Sequence, residues 1–181
     1  MVTKALRSEL MSAMAGASHT EPLAHEVTQL FDENRRPLLR YLLSIGLTVQ
    51  DGEEVVQEVF LALFQHLRSG KPRHNLRGWL FRVGHNQALK VRERRAFETF
   101  AEVEDRADGA KDPEQMVVAQ EQSRRLDSVI SALDPLDRAC LALRAEGFRY
   151  REIAEIEGIS LGSVAGSIER SVGKLARAIA R

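Results

Sequence analysis

The stretch LRGWLFRVGHNQALKVRERR, residues 76–95, interleaves cations with aromatic side chains. Arg77, Arg82, Arg92, Arg94 and Arg95 can follow a phosphate chain, because that interaction needs only positive charge at intervals. The loop before it, GKPRHN, can present Arg73, His74 and Asn75 to unstacked bases, and Trp79 offers a ring on which a base could stack. A lone Trp at helical spacing is more commonly core, so for Trp79 both readings stand. A second group lies in DGEEVVQEVFLALFQ, residues 51–65, where acids and Gln57 occupy one helical face and apolar residues the other. That face is either merely solvated or a docking surface for a basic partner.

The third group is YREIAEIEGISLGSVAGSIER, residues 150–170. A short helix, a turn at Gly158 and an amphipathic second helix fit a helix-turn-helix, although an antiparallel helical hairpin has the same pattern. Val164, Ile168, Val172, Leu175 and Ile179 are expected to form the apolar stripe of the last helix. The opposite face would carry Ser163, Gly166, Ser167, Arg170, Lys174, Arg177 and Arg181, small at its start and basic beyond. Reading base edges takes Arg, Lys, Asn or Gln near the helix start, and none stands there. Phosphate binding takes cations, hydroxyls and helix amino ends, which are present. The segment is therefore expected to hold DNA and to read it weakly, the alternative being a solvated face.

Nothing in the chain resembles a catalytic centre. His66, His74 and His85 lack metal-ligand spacing, and there is no H-E-x-x-H, paired cysteine, glycine-rich phosphate loop or G-x-S-x-G. No metal, cofactor or enzymatic activity is expected. The single cysteine, Cys140, cannot form an internal disulfide, which favours a reducing cytosol. No apolar run approaches the roughly 20 residues of a membrane span, so no membrane insertion is expected, and the first 21 residues lack the apolar centre of a signal peptide.

The elements that must position these groups are all helical. Ala, Leu, Glu and Arg dominate, aromatics are only 6%, and no strand pattern occurs. Helices are predicted from about Ala24 to Ile45, kinked or split at Pro37, from about Asp51 to Arg68, and from about Leu76, after an Asn75 N-cap, to Ala96. Asp112-Pro113 and Asp134-Pro135 each pair an N-cap with a proline at the first helical position. They open helices to about Leu133 and to a C-cap near Gly147, and helices over Tyr150–Glu157 and from Ser160 follow. The fold class is all-α, with a tail at 1–21, a helical domain at 22–96, an acidic linker at 97–112 and a second helical domain at 113–181.

Net charge is zero, yet the charges are segregated. Residues 66–95 hold Arg68, Lys71, Arg73, Arg77, Arg82, Lys90, Arg92, Arg94 and Arg95 against Glu93 alone, and acids dominate on both sides. Such blocks suggest separate surfaces for separate partners.

Together these segments resemble the extracytoplasmic-function (ECF) sigma factors of bacterial RNA polymerase. DGEEVVQEVFLALF is similar to that family's polymerase-binding helix, and LRGWLFRVGHNQAL to its promoter-melting helix. LDPLDRACLALRAEGFRYREIAEIEGISLGSV is similar to its helix-turn-helix module. The resemblance implies that Asp51, Glu54, Gln57 and Glu58 dock on the clamp helices of core RNA polymerase. It implies that Arg73, His74 and Asn75, with Trp79 and with Asn86 behind, capture a flipped base of the −10 element, while Arg77, Arg82, Lys90 and Arg92 hold the backbone. The helix-turn-helix, through Tyr150, Ser160, Ser163, Gly166, Ser167, Arg170 and Lys174, would contact the −35 element of promoter DNA. The acidic linker would run through polymerase channels. An anti-sigma factor is a further implied partner, and the location is cytoplasmic. Where the family usually carries Lys-Ser-Arg stand Ala165, Gly166 and Ser167, which weakens −35 reading. A regulator acting on duplex DNA without polymerase, or a relative that binds polymerase or a regulator but reads DNA weakly, are the alternatives.

Overall fold

The structure, a computed structural model, describes residues 21–99, 126 and 128–179. The described residues form six long helices and no strand: α1 (Glu21–Ser44), α2 (Val49–Arg68), α3 (Leu76–Thr99), α4 (Pro135–Ala145), α5 (Tyr150–Glu157) and α6 (Leu161–Ile179). Residues 128–131 are also helical. The rest of the helix expected from Asp112-Pro113, the linker beyond Thr99 and the tail before Glu21 lie outside the described residues. The chain divides into two compact units, one built on α1–α3 through Val91 together with Glu155–Glu157 at the end of α5, and one containing α4, the start of α5 and α6.

In the first unit α1 and α2 pack along their length. Phe31 of α1 meets Phe60 of α2 edge to face, with ring centroids 5.0 Å apart. Leu38, Tyr41 and Leu42 of α1, Val55, Val59 and Leu63 of α2, and Leu80, Phe81 and Ala88 of α3 are buried with them. Two glycines permit the close approach. A β-carbon on Gly52 would lie 2.8 Å from Leu39 Cδ1, and one on Gly84 would lie 3.0 Å from Leu38 Cδ1 and 3.7 Å from Val59 Cγ2.

Two boundaries differ from expectation, and of the two outcomes expected at Pro37, a kink or a split, the split does not occur. Pro37 stands inside α1 without splitting it. Proline removes one helical hydrogen bond, but Phe31 and Asn34 before it and Leu38, Tyr41 and Leu42 after it are all buried, and that burial keeps the halves in one helix. Helix α2 begins at Val49 because Thr48, not Asp51, caps it: Thr48 Oγ1 accepts from the Asp51 amide at 3.2 Å. Helix α3 runs to Thr99, so residues 97–99, expected in the linker, are helical.

In the second unit α4 packs on α6. Ala139, Cys140 and Leu143 of α4, Ile153 of α5, and Val164 and Ile168 of α6 form its core with Leu133 and Phe148. Pro135 opens α4 as expected, although the Asp134 side chain makes no cap hydrogen bond. Gly147 (φ 90°) and Gly158 (φ 68°) take the left-handed conformation that ends α4 and α5.

The buried face of α6 follows the predicted stripe at Val164 and Ile168 and departs from it beyond them. Val164, Ser167, Ile168 and Ser171 are buried, whereas Val172 is 51% exposed and Ile179 is exposed too. Two hydroxyls, Ser167 and Ser171, join Val164 and Ile168 on the buried face, and each has a partner. Ser171 Oγ donates to the Ser167 carbonyl at 2.8 Å, and small side chains let α4 approach closely.

Candidate functional site

The segment between α2 and α3, residues 69–75, is exposed throughout. Its ends are set by helix chemistry. The Ser69 amide donates to the Gln65 carbonyl (3.0 Å) and the Lys71 amide to the His66 carbonyl (3.3 Å), with Gly70 at φ 68° between them. At the far end Asn75 Oδ1 accepts from the Gly78 amide at 3.1 Å, the cap expected of it. Asn75 has φ 50°, a left-handed conformation that Asn tolerates better than most residues. Its amide lies so close over α3 that a β-carbon on Gly78 would sit 2.5 Å from Asn75 Nδ2. Glycine is therefore needed at residue 78 for this cap.

Beyond the loop, Arg82, Asn86 and Lys90 stand four residues apart and are exposed, with Arg92 exposed further along. Gly78, Leu80, Phe81, Gly84, His85 and Ala88 occupy the buried side of α3. Trp79 is half-buried, its ring 4.8 Å from that of His66; it is neither fully core nor a bare platform. The Arg77 guanidinium lies 5.8 Å from the centroid of the Phe81 ring, and Arg73 pairs with Glu26 of α1. His85, which lacked any role, is buried with Nδ1 2.6 Å from Tyr41 Oη. The structure thus brings His74, Asn75, Trp79, Arg82, Asn86 and Lys90 onto one loop and one helix of a single unit.

On α2 the four expected docking residues separate. Glu54 and Glu58 are exposed and Gln57 is half-buried. Asp51 is only 8% exposed, and its Oδ2 accepts from Thr48 Oγ1 at 2.7 Å. Asp51 therefore helps start the helix and offers little to a partner. Glu53 is held by Arg35 of α1 at 3.1 Å, so the outward charge of this face comes from Glu54 and Glu58.

In the second unit, Ser160 caps α6: its Oγ accepts from the Ser163 amide at 3.1 Å and lies 2.8 Å from Ser163 Oγ. Both serines are exposed, Gly166 is half-exposed, and Tyr150 is exposed with the Arg144 guanidinium 5.8 Å from its ring centroid. Two expected DNA-facing residues are engaged within the unit, although the Arg170 side chain is still 57% exposed. Ser167 is buried at the α4–α6 seam. Arg170 forms two hydrogen bonds to Asp137, Nε to Oδ2 at 3.2 Å and Nη2 to Oδ1 at 2.6 Å, and a third to Ser167 Oγ at 3.1 Å. Asp137 is 1% exposed, and the Arg170 hydrogen bonds hold its carboxyl below the usual carboxylate range against the opposing effect of burial. Lys174 Nζ lies 3.9 Å from Asp134 Oδ2. The first half of the expected basic stripe is thus partnered within the unit.

Sequence reasoning missed Asp137, His66 and Glu26. Asp137 carried a weak signal, an acid in the first turn of a helix, but its partner is 33 residues away. Glu26 and Arg73 are likewise 47 apart. No periodicity reports such pairs.

Among the described residues no cluster of His, Cys, Asp or Glu could hold a metal ion, and no helix is long and apolar enough to cross a membrane. The family model for Sigma-70 region 2 matches residues 30–98 and that for Sigma-70 region 4 matches residues 123–175. The RNA polymerase sigma factor CnrH of Cupriavidus metallidurans is 33% identical over 143 residues, 73% of this chain and 75% of that protein. The ECF RNA polymerase sigma factor SigL of Mycobacterium tuberculosis is 31% identical over 173 residues, 91% of this chain and 94% of that protein. Among solved structures, CnrH in complex with the cytosolic domain of CnrY superposes with a TM-score of 0.58 at 26% identity, covering 96% of both chains. The sigma factor RpoE from Bartonella quintana, in complex with the anti-sigma factor NepR, has a TM-score of 0.62 at 19% identity, over 85% of this chain and 96% of that one. The latter likeness is one of fold.

Proposed function

The chain belongs to the ECF sigma factors of bacterial RNA polymerase, and on that premise we propose how its surfaces divide the work of starting transcription. As a sigma factor it binds core RNA polymerase and directs promoter recognition, DNA melting and initiation.

The first domain, residues 22–96, docks on polymerase through Glu54, Gln57 and Glu58 and opens the −10 element through the loop at 73–75 and α3. His74 and Asn75 meet an extruded base. Asn86 stands behind it, and Arg82, Lys90 and Arg92 hold the backbone. Extruding a base costs a few kcal/mol, which polymerase binding and phosphate contacts offset. The second domain, residues 113–181, rests on the −35 element through Ser160, Ser163 and the amino end of α6, with Tyr150 and Gly166 alongside. It holds more than it reads, since Ser167 is buried and the Arg170 guanidinium is bound to Asp137. Residues 100–112 tether the two, with a charge that mimics nucleic acid in the polymerase channels. The chain contributes no catalytic group, acts in the cytoplasm, and takes an anti-sigma factor as a regulatory partner.

The observation that carries the docking assignment is the pair of outward carboxylates on α2, Glu54 and Glu58, on a helix whose other acids are engaged. Glu54→Lys with Glu58→Lys reverses that charge. In a pull-down with purified core polymerase the double variant is expected to lose binding at least tenfold, about 1.4 kcal/mol. Binding equal to that of the unaltered chain would overturn the assignment.

A further inference from the structure

The loop at 71–75 contains no buried side chain, yet it must hold a defined shape to select one base. Fixing a residue's backbone costs about 1–2 kcal/mol of conformational entropy, so something outside the loop must hold it. Two side chains do. Glu26 of α1 pairs with Arg73. His66, in the last turn of α2, has Nε2 2.9 Å from the Pro72 carbonyl. A carbonyl oxygen only accepts, so Nε2 carries the proton. The same imidazole lies against the Trp79 ring, with centroids 4.8 Å apart. His66 thus contacts both the middle of the loop and the helix face beside it.

We infer that His66 is a positioning residue for base selection at the −10 element, presetting the Pro72–Asn75 loop through the Pro72 carbonyl while bracing Trp79. The inference rests on the loop being the base-capturing element, as proposed above. Preorganisation removes an ordering cost that would otherwise fall at the moment of binding. A loop that is already shaped discriminates among bases, whereas a loose one adapts to each.

The test uses holoenzyme assembled from core polymerase and the full chain, titrated with promoter fragments whose −10 region is held unpaired and differs by one base. His66→Phe keeps a ring against Trp79 but has no donor for Pro72. It is expected to lower the ratio of affinities for the best and worst base by about three- to tenfold, the worth of one net hydrogen bond, with core binding unchanged. His66→Gln, which keeps an N–H donor, is expected to restore most of that ratio. An unchanged ratio in His66→Phe would overturn the inference. So would equal loss in both variants, or better retention by Phe, since a packing role favours the ring. A parallel Arg73→Ala, His74→Ala, Asn75→Ala variant separates the two levels. If it leaves the ratio intact, the loop is not the selecting element. If it abolishes the ratio while His66→Phe does not, only the positioning role fails.

Discussion

Asp137 is buried at the base of α4 and still ionised, because Arg170 reaches it with two nitrogens across the seam to α6. Its lowered pKa has a direct consequence for stability. A carboxyl whose folded-state pKa lies below its unfolded value stabilises the fold above that unfolded value, and the contribution fades as pH falls through the folded pKa. The thermal midpoint of the chain is therefore expected to drop as pH falls from about 5 to about 3. Asp137→Asn should be less stable at neutral pH and show a shallower acid dependence. Thermal unfolding of both proteins across that range checks the sign: parallel curves would mean that the pair contributes nothing. The same pairing gives Arg170 a task at the helix seam besides the DNA contact expected of it.

At the scale of elements, the first unit depends on how closely three helices cross. Gly84 of α3 faces Leu38 of α1 and Val59 of α2, with 3.0 Å and 3.7 Å available to a β-carbon. Alanine there would gain helix propensity while pressing on Leu38, two effects of similar size. A branched side chain has no such balance. Gly84→Leu is expected to cost about 1–3 kcal/mol through overpacking, visible as a lower urea midpoint for the full chain. No change in the midpoint would mean that the crossing relaxes freely. Displacing α3 would also shift Asn86 and Lys90, so promoter opening should weaken alongside stability.

At the scale of the whole molecule, charge segregation assigns separate tasks to separate surfaces. In the proposed division, carboxylates on α2 meet protein, whereas α3 and its preceding loop meet nucleic acid. Two residues one helical turn apart on α3 should therefore fail differently. Lys90→Ala removes a phosphate contact, so holoenzyme affinity should fall about equally for every promoter and the salt slope should decrease by roughly one unit. Asn86→Ala removes a polar contact to the extruded base, so open-complex formation, followed by reactivity of unpaired thymines, should be lost while the salt slope stays. Identical behaviour of the two variants would refute this division.

Helix type, order and most boundaries followed from the sequence alone, because apolar spacing, proline at helix starts and glycine at helix ends act within a few residues. Pro135, Gly147 and Gly158 each did what local chemistry required. The family was legible for a related reason: a docking helix, a melting helix and a helix-turn-helix each occupy one continuous segment. Tertiary structure decided which polar groups remain available. Asp51 was taken into a cap with Thr48, Ser167 and Ser171 into a helix seam, Arg170 onto Asp137, and His66 onto Pro72 and Trp79. A hydroxyl or a charge looks the same in sequence whether it faces water or a partner. Only packing α4 on α6, and the return of the loop against α2, settles which of the two it meets.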